Sequence, residues 1–250
     1  MTLLRTDSLS VTFGGLRAVN DVSLHVGEGE LVGLIGPNGA GKTTFIDAVT
    51  GYVASQGETY FDGRPISGMA PHRRSRLGLG RTWQSLELFD DLTVEENLLV
   101  ASERPSIGGF FADLVAPRRA RPRDSVDFAL DVLGIRDLAG RMPTEISQGQ
   151  RKLVSAARAL AARPRLVCMD EPAAGLDTHE SAVLGERLRA VVNEGISILL
   201  VDHDMGLVLG ICDRIHVIEF GRTIAEGAPD VVAADPLVVE AYLGRQGAAG

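Results

Sequence analysis

A chain of 250 residues, 45% of them hydrophobic, is long enough for one large α/β domain with a sizeable core. Its 25 Lys and Arg against 33 Asp and Glu leave a net charge of −8, which argues against a general nucleic-acid binder, although Arg73, Arg74 and Arg76 make a local basic patch. No apolar run approaches the ~20 residues of a membrane span, and the start, Met1 to Asp7, lacks the apolar core of a signal peptide. A cytosolic protein is expected, with any membrane role passing through partner chains. Cys168 and Cys212 lie in apolar settings and read as buried free thiols, compatible with a reducing compartment.

Residues 3–13 read as a first strand, with Leu9, Val11 and Phe13 alternating against Ser10 and Thr12. Gly14 and Gly15 make a turn, and 18–26 a second strand. Phe13 ends the first strand; an aromatic there can stack on an adenine ring. On spacing alone, a core or edge phenylalanine is the stronger reading.

Leu31 to Ile35 is an apolar run that reads as a buried parallel strand. Gly36, Pro37, Asn38, Gly39, Ala40, Gly41, Lys42, Thr43 and Thr44 follow, and 45–49 continue as a helix ending near Gly51. Strand, glycine loop and helix are the context in which G-x-x-x-x-G-K-S/T denotes a phosphate-binding P-loop. The glycines let successive N–H groups converge on an anion, and the helix N-terminus adds positive partial charge. Lys42 can reach the β- and γ-phosphates, and the Thr43 hydroxyl can ligate Mg²⁺.

A short strand at 57–61 turns at Asp62 and Gly63, and Pro71 suits the first position of a helix running to Leu77. Residues 78–84 read as a strand ending in Gln84. That neutral amide can meet Mg²⁺ or the attacking water, or be a surface glutamine; local sequence favours the last. From 86 to about 158 the chain reads as a helical insertion. Thr93 and Glu96 form a capping box, and a Gly-, Pro- and Arg-rich stretch runs from 102 to 123, where Phe110, Phe111 and Leu114 hint at a short ordered piece. Residues 124–133 read as an amphipathic helix stopped by Gly134.

Ser147, Gln148, Gly149 and Gln150 open a helix ending near Ala161, with Ser147 as N-cap and the first turn as a second anion site. A buried strand at 166–169 ends in Asp170 and Glu171. Two acids at a strand end can take separate tasks as the chain turns. Asp170 would hold Mg²⁺ through its water shell, and Glu171 would polarise the attacking water. Residues 173–177 form a loop, 179–193 a helix, and 197–201 another apolar strand ending in Asp202, His203 and Asp204. His203 then shares a sheet edge with the P-loop and the acids. A helix at 205–212, strands at 214–220 and 222–226, and a short helix ending at Leu243 complete the chain.

The order of these pieces resembles the ATPase subunit of an ABC transporter. The likeness spans essentially the whole chain: Walker A at 36–44, Q-loop at Gln84, signature at 147–150, Walker B at 166–171, D-loop at 175–177 and H-switch at His203. It implies a P-loop NTPase (RecA-like) α/β core over about 1–85 and 159–250, an antiparallel β subdomain, and an inserted helical subdomain over about 86–158. Phe13 falls where the family places its adenine-stacking aromatic. Narrower likenesses point to the branched-chain amino acid importer ATPases: 13–19, 81–84, 92–98, 170–177, 203–205, 213–215, 221–227 and 240–244. ATPases of urea or amide import and of lipopolysaccharide export are similar as well. The signature departs from the usual paired glycines, with Gln148 preceding Gly149, and from the leading leucine, with Ile146.

The resemblance implies ATP and Mg²⁺ as ligands and a head-to-tail pair of ATPase chains, identical or paralogous. Ser147, Gln148, Gly149 and Gln150 of one chain would close the other's P-loop site, and Asp177 would cross the interface. Glu171 would activate water, His203 would hold the γ-phosphate, and Gln84 would link it to the helical insertion and a permease. Two integral-membrane permeases, an extracytoplasmic binding protein and a place on the inner face of the membrane are implied, with no nucleic acid. A soluble ABC ATPase of translation or repair is less compatible, because only one P-loop and no long coiled coil are present. A regulatory subunit without turnover is less compatible with Glu171 and His203.

Overall fold

The computed structural model describes residues 1–82, 88–102 and 121–243. Gln84 and the 103–120 stretch with Phe110, Phe111 and Leu114 lie outside them. In chain order the elements are β1 (Thr2–Phe13), β2 (Leu16–Gly27), β3 (Leu31–Ile35), α1 (Lys42–Thr50), β4 (Gln56–Phe61), β5 (Arg64–Pro65), α2 (Pro71–Arg76) and β6 (Leu79–Arg81). Then come α3 (Val94–Ser102), α4 (Arg121–Val132), α5 (Gln148–Ala161), β7 (Leu166–Asp170), α6 (Thr178–Asn193), β8 (Ser197–Val201) and α7 (Met205–Ile211). β9 (Arg214–Glu219), β10 (Arg222–Gly227), α8 (Pro229–Ala233) and α9 (Pro236–Leu243) end the described chain.

Two sheets form. The larger has strand order β10-β9-β3-β8-β7-β6, parallel throughout except for the antiparallel edge strand β10. Its central strands β3, β7 and β8 are buried at every position, which is why they read as unbroken apolar runs. Successive residues serve opposite faces. Leu31, Ile35, Val167, Met169, Ile198 and Leu200 enter a core shared with α3, α4, α5 and α6. Val32, Leu34, Leu166, Cys168, Leu199 and Val201 enter a second core with α1 and the smaller, antiparallel sheet β2-β1-β4-β5.

Local chemistry sets the ends of the elements. Gly51 stops α1 in a left-handed conformation, φ 87°. Arg74, one of the three clustered arginines, is buried and donates to the carbonyls of Ala48 and Val49 at the end of α1, and to Met69. The basic patch is therefore split, with Arg74 serving the fold. Thr93 and Glu96 form the expected capping box at 2.8 and 3.2 Å. α4 starts three residues before the expected Asp124, because Pro122 falls in its first turn, where a missing N–H costs nothing. The chain end holds two short helices instead of one. Each opens on a proline, and the Asp235 carboxylate accepts the Leu237 N–H at 2.8 Å.

Candidate active site

The parallel register brings distant segments level at one edge of the sheet. Leu34 and Asp170 both pair with Val201, so the P-loop, the Asp170–Glu171 pair and the Asp202–His203 turn leave adjacent strands side by side. That edge, at the carboxyl ends of the strands, is where open α/β sheets bind ligands.

Two glycines of the P-loop are obligatory. A Cβ on Gly36 would sit 2.0 Å from the Ile218 carbonyl oxygen, and one on Gly41 2.3 Å from that of Ala18, both at positive φ. Ala18 belongs to β2, so the β1–β2 hairpin abuts the loop directly. The Gly221 N–H donates to the Ala40 carbonyl at 2.9 Å and holds the loop from the other side. Gly41 caps α1 without any side-chain hydrogen bond, and no acid occupies the helix's first turn. The first-turn N–H groups and the positive end of the helix suit an anion. Lys42 Nζ donates to the carbonyls of Gly36 and Pro37 at 2.7 and 3.1 Å. Burial pushes its pKa below the usual lysine range, against the pull of Glu171, Asp170 and Asp202.

Across the edge, Asp170 is 2% exposed. Thr43 Oγ1 approaches its Oδ1 at 3.4 Å, and Oδ2 has no hydrogen-bond partner among the described residues. Burial raises the Asp170 pKa above the usual carboxylate range, opposed by the Thr43 contact and the Arg81 charge. A hydroxyl beside a carboxylate with spare acceptor capacity is a donor set suited to a hard divalent cation that also takes phosphate oxygens and water. Glu171 is left-handed at φ 50°, a conformation costing roughly 1–2 kcal/mol for a residue with a Cβ. Asp170 is buried, while Glu171 after this reversal is half-buried. The Glu171 N–H is held by the Val201 carbonyl at 2.7 Å. His203 is exposed, with Nδ1 3.7 Å from Asp202 Oδ1.

Ser147 caps α5 reciprocally with Gln150: Ser147 Oγ accepts the Gln150 N–H at 3.2 Å, and Gln150 Oε1 accepts the Ser147 N–H at 2.9 Å. Gln148 lies against Gly175, where an added Cβ would be 3.1 Å from Nε2. The Glu180 carboxylate is packed against Gly149 and caps Asp177, whose own carboxylate accepts the Glu180 N–H at 2.8 Å. The 147–150 turn and the 173–177 loop of one chain are thus in contact. Phe13 is 52% exposed at the tip of the hairpin that abuts Gly41, so it is not a core residue.

Three residues of this edge carried no role in the sequence reading. Asp202, fully buried, accepts the N–H groups of Ala173, His203 and Asp204 and so ties the two strand-end loops together. Its position, an acid directly after an apolar strand as at Asp170, was the available signal. Lys152 on α5 donates to the Glu171 carbonyl at 3.4 Å. Arg81 bridges Asp47 and Asp170. Nothing local distinguishes these two from solvated basic residues.

A strand, a glycine loop and a helix N-terminus beside a buried carboxylate at a nearby strand end make up the arrangement of a P-loop nucleoside triphosphatase. The chain belongs to the ABC transporter family: that family's model matches residues 19–174, and a branched-chain amino acid ATP-binding cassette transporter model matches 222–248. It is 40% identical to the high-affinity branched-chain amino acid transport ATP-binding protein LivG of Salmonella typhimurium, over 97% of this chain and 98% of that one. It is 39% identical to BraF of Pseudomonas aeruginosa, described in the same words, over the same shares. Among solved structures, the ADP conformation of MJ1267, an ATP-binding cassette of an ABC transporter, superposes with a TM-score of 0.86 at 32% identity, covering 98% of this chain and 99% of that one. The chain is accordingly a nucleotide-binding ATPase subunit, and such subunits work with membrane permease components. Among the described residues no helix is long and apolar enough to cross a membrane.

Proposed function

We propose that this chain powers import of branched-chain or related hydrophobic amino acids, as half of an ATPase dimer on the inner face of the membrane. The observation that carries the substrate class is the match of residues 222–248 to the branched-chain cassette model, beside near-full-length likeness to LivG and BraF. The permeases would dock on the inserted helical part, about 86–158, with Gln84 linking it to the site. An extracytoplasmic binding protein would deliver the substrate.

In this reading the P-loop N–H groups and Lys42 bind the β- and γ-phosphates, and Phe13 stacks on the adenine. Lys42 exchanges its two loop carbonyls for phosphate oxygens. Thr43 and Asp170, with Gln84, are the groups that would hold Mg²⁺. The ion, when bound, neutralises charge on the phosphates. Glu171 orients a water and takes its proton, and His203 holds the γ-phosphate. Ser147, Gln148, Gly149 and Gln150 complete the partner's site, and Asp177 meets the partner across the interface. Contact between the 147–150 turn and the 173–177 loop lets one chain present both to its partner together. ATP bound between the chains favours the closed dimer, and hydrolysis releases it.

A strain deleted for this chain tests the proposal through uptake of labelled leucine, isoleucine and valine. Uptake falls on deletion and returns with the wild-type chain but not with Lys42→Ala. Unchanged uptake, or a loss confined to urea or short amides, contradicts the substrate class.

A further inference from the structure

Arg81 is the last residue of β6, in register with Cys168, and its side chain is 8% exposed. Nη1 pairs with the Asp47 carboxylate on α1 and lies 3.4 Å from Thr50 Oγ1. Nη2 lies 3.8 Å from Asp170 Oδ2, and the guanidinium carbon stands 5.6 Å from the centre of the Tyr52 ring. The guanidinium thus spans two acids from different elements, one on the helix that carries Lys42 and Thr43, the other at the end of the neighbouring strand β7.

The spacing is informative. Asp47 anchors Arg81 by a direct hydrogen bond. Asp170 is too far for one, so it feels the charge without surrendering an acceptor site. A planar fork held at one end by Asp47 presents its other end in one orientation, which a flexible ammonium would not. Truncating it would remove the cation that the Asp47 and Asp170 carboxylates share.

We infer that Arg81 is a positioning residue for the divalent cation: it sets the orientation of the Asp170 carboxylate relative to Thr43 by bracing it from α1. The inference rests on the reading of Thr43 and Asp170 as the metal-side pair. Loss of such an outer contact to a ligand typically costs about tenfold or more in metal affinity.

The test is binding of a fluorescent ATP analogue, mant-ATP, to the full chain, in EDTA and across a Mg²⁺ titration, with the melting temperature recorded. In Arg81→Gln, affinity in EDTA stays within about twofold of wild type while the Mg²⁺ needed for half-saturation rises about tenfold. Arg81→Lys restores part of that shift, and Asp47→Asn, which removes the anchor, moves it in the same direction. Wild-type Mg²⁺ dependence in Arg81→Gln overturns the inference, as does an equal loss of affinity with and without Mg²⁺, which marks a general structural role. Where Arg81→Gln does not fold, Arg81→Lys and Asp47→Asn decide, and wild-type Mg²⁺ dependence in both overturns it. Asp170→Asn separates this inference from the reading beneath it: if that variant also keeps wild-type Mg²⁺ dependence, the metal-side assignment itself fails.

Discussion

Thr43 and Asp170 are 127 residues apart in the chain, yet Thr43 Oγ1 stands 3.4 Å from Asp170 Oδ1. The closeness follows from parallel strand order. β3 and β7 flank β8 in register, so the second residue of α1 and the residue ending β7 converge above the same strand. The P-loop and the acid are thereby fixed to the two sides of one strand.

Lys42→Ala removes the ammonium that caps the Gly36 and Pro37 carbonyls and would meet the phosphates. A hydrogen bond to a charged group is worth about 1.5–3 kcal/mol, so ATP affinity falls by roughly ten- to a hundredfold. Equilibrium binding of mant-ATP measures this, and unchanged affinity argues against the cradle as the nucleotide site.

Glu171→Gln keeps the size of the side chain but removes the carboxylate that would take the proton of the attacking water. ATP still binds, and hydrolysis in the assembled transporter slows by about a hundredfold or more, the usual worth of a positioned general base. Turnover near wild type removes Glu171 from that role.

Phe13 is exposed beside the loop, so its replacement disturbs little packing. Stacking on a base is worth about 1–3 kcal/mol on truncation to alanine. Phe13→Ala therefore weakens ATP binding by that amount, while Phe13→Tyr and Phe13→Trp hold it. Equal affinities for all three leave the aromatic without a nucleotide role.

The two cysteines report on burial. Burial pushes both the Cys168 and Cys212 thiols up to about 12, so the reactive thiolate is scarce at pH 8. Native protein labels slowly with a thiol reagent and takes up two equivalents once unfolded in guanidinium. Fast labelling of the native chain contradicts the packing around Gly33, whose Cβ position lies 3.0 Å from Cys212 Sγ.

Much of this was legible in the sequence, and particular residues show why. β3, β7 and β8 are buried on both faces, so each is an apolar run bounded by turn residues. The P-loop glycines and the Ser147 cap are local in sequence because the geometry they serve is local. Other features depend on where folding brings distant segments. The ion pair between Arg81 and Asp170, the Asp202 link between two loops and the Glu180 carboxylate against Gly149 join residues from separate elements, and no periodicity encodes such pairs. The reversal at Glu171 is equally silent, since a left-handed glutamate follows from the surroundings and not from propensity. The order of the antiparallel sheet, with β1 between β2 and β4, is likewise a choice among pairings that alternation alone permits.

The central claim is that the site at the P-loop is half of one, and that Ser147 acts on nucleotide held by another chain. Ser147→Ala tests it by comparing two quantities: ATP affinity of the isolated chain, and ATP turnover of the assembled transporter. The account predicts affinity within about twofold of wild type and turnover reduced on the order of a hundredfold, as when one donor to the developing charge is lost. An equal loss in both contradicts it.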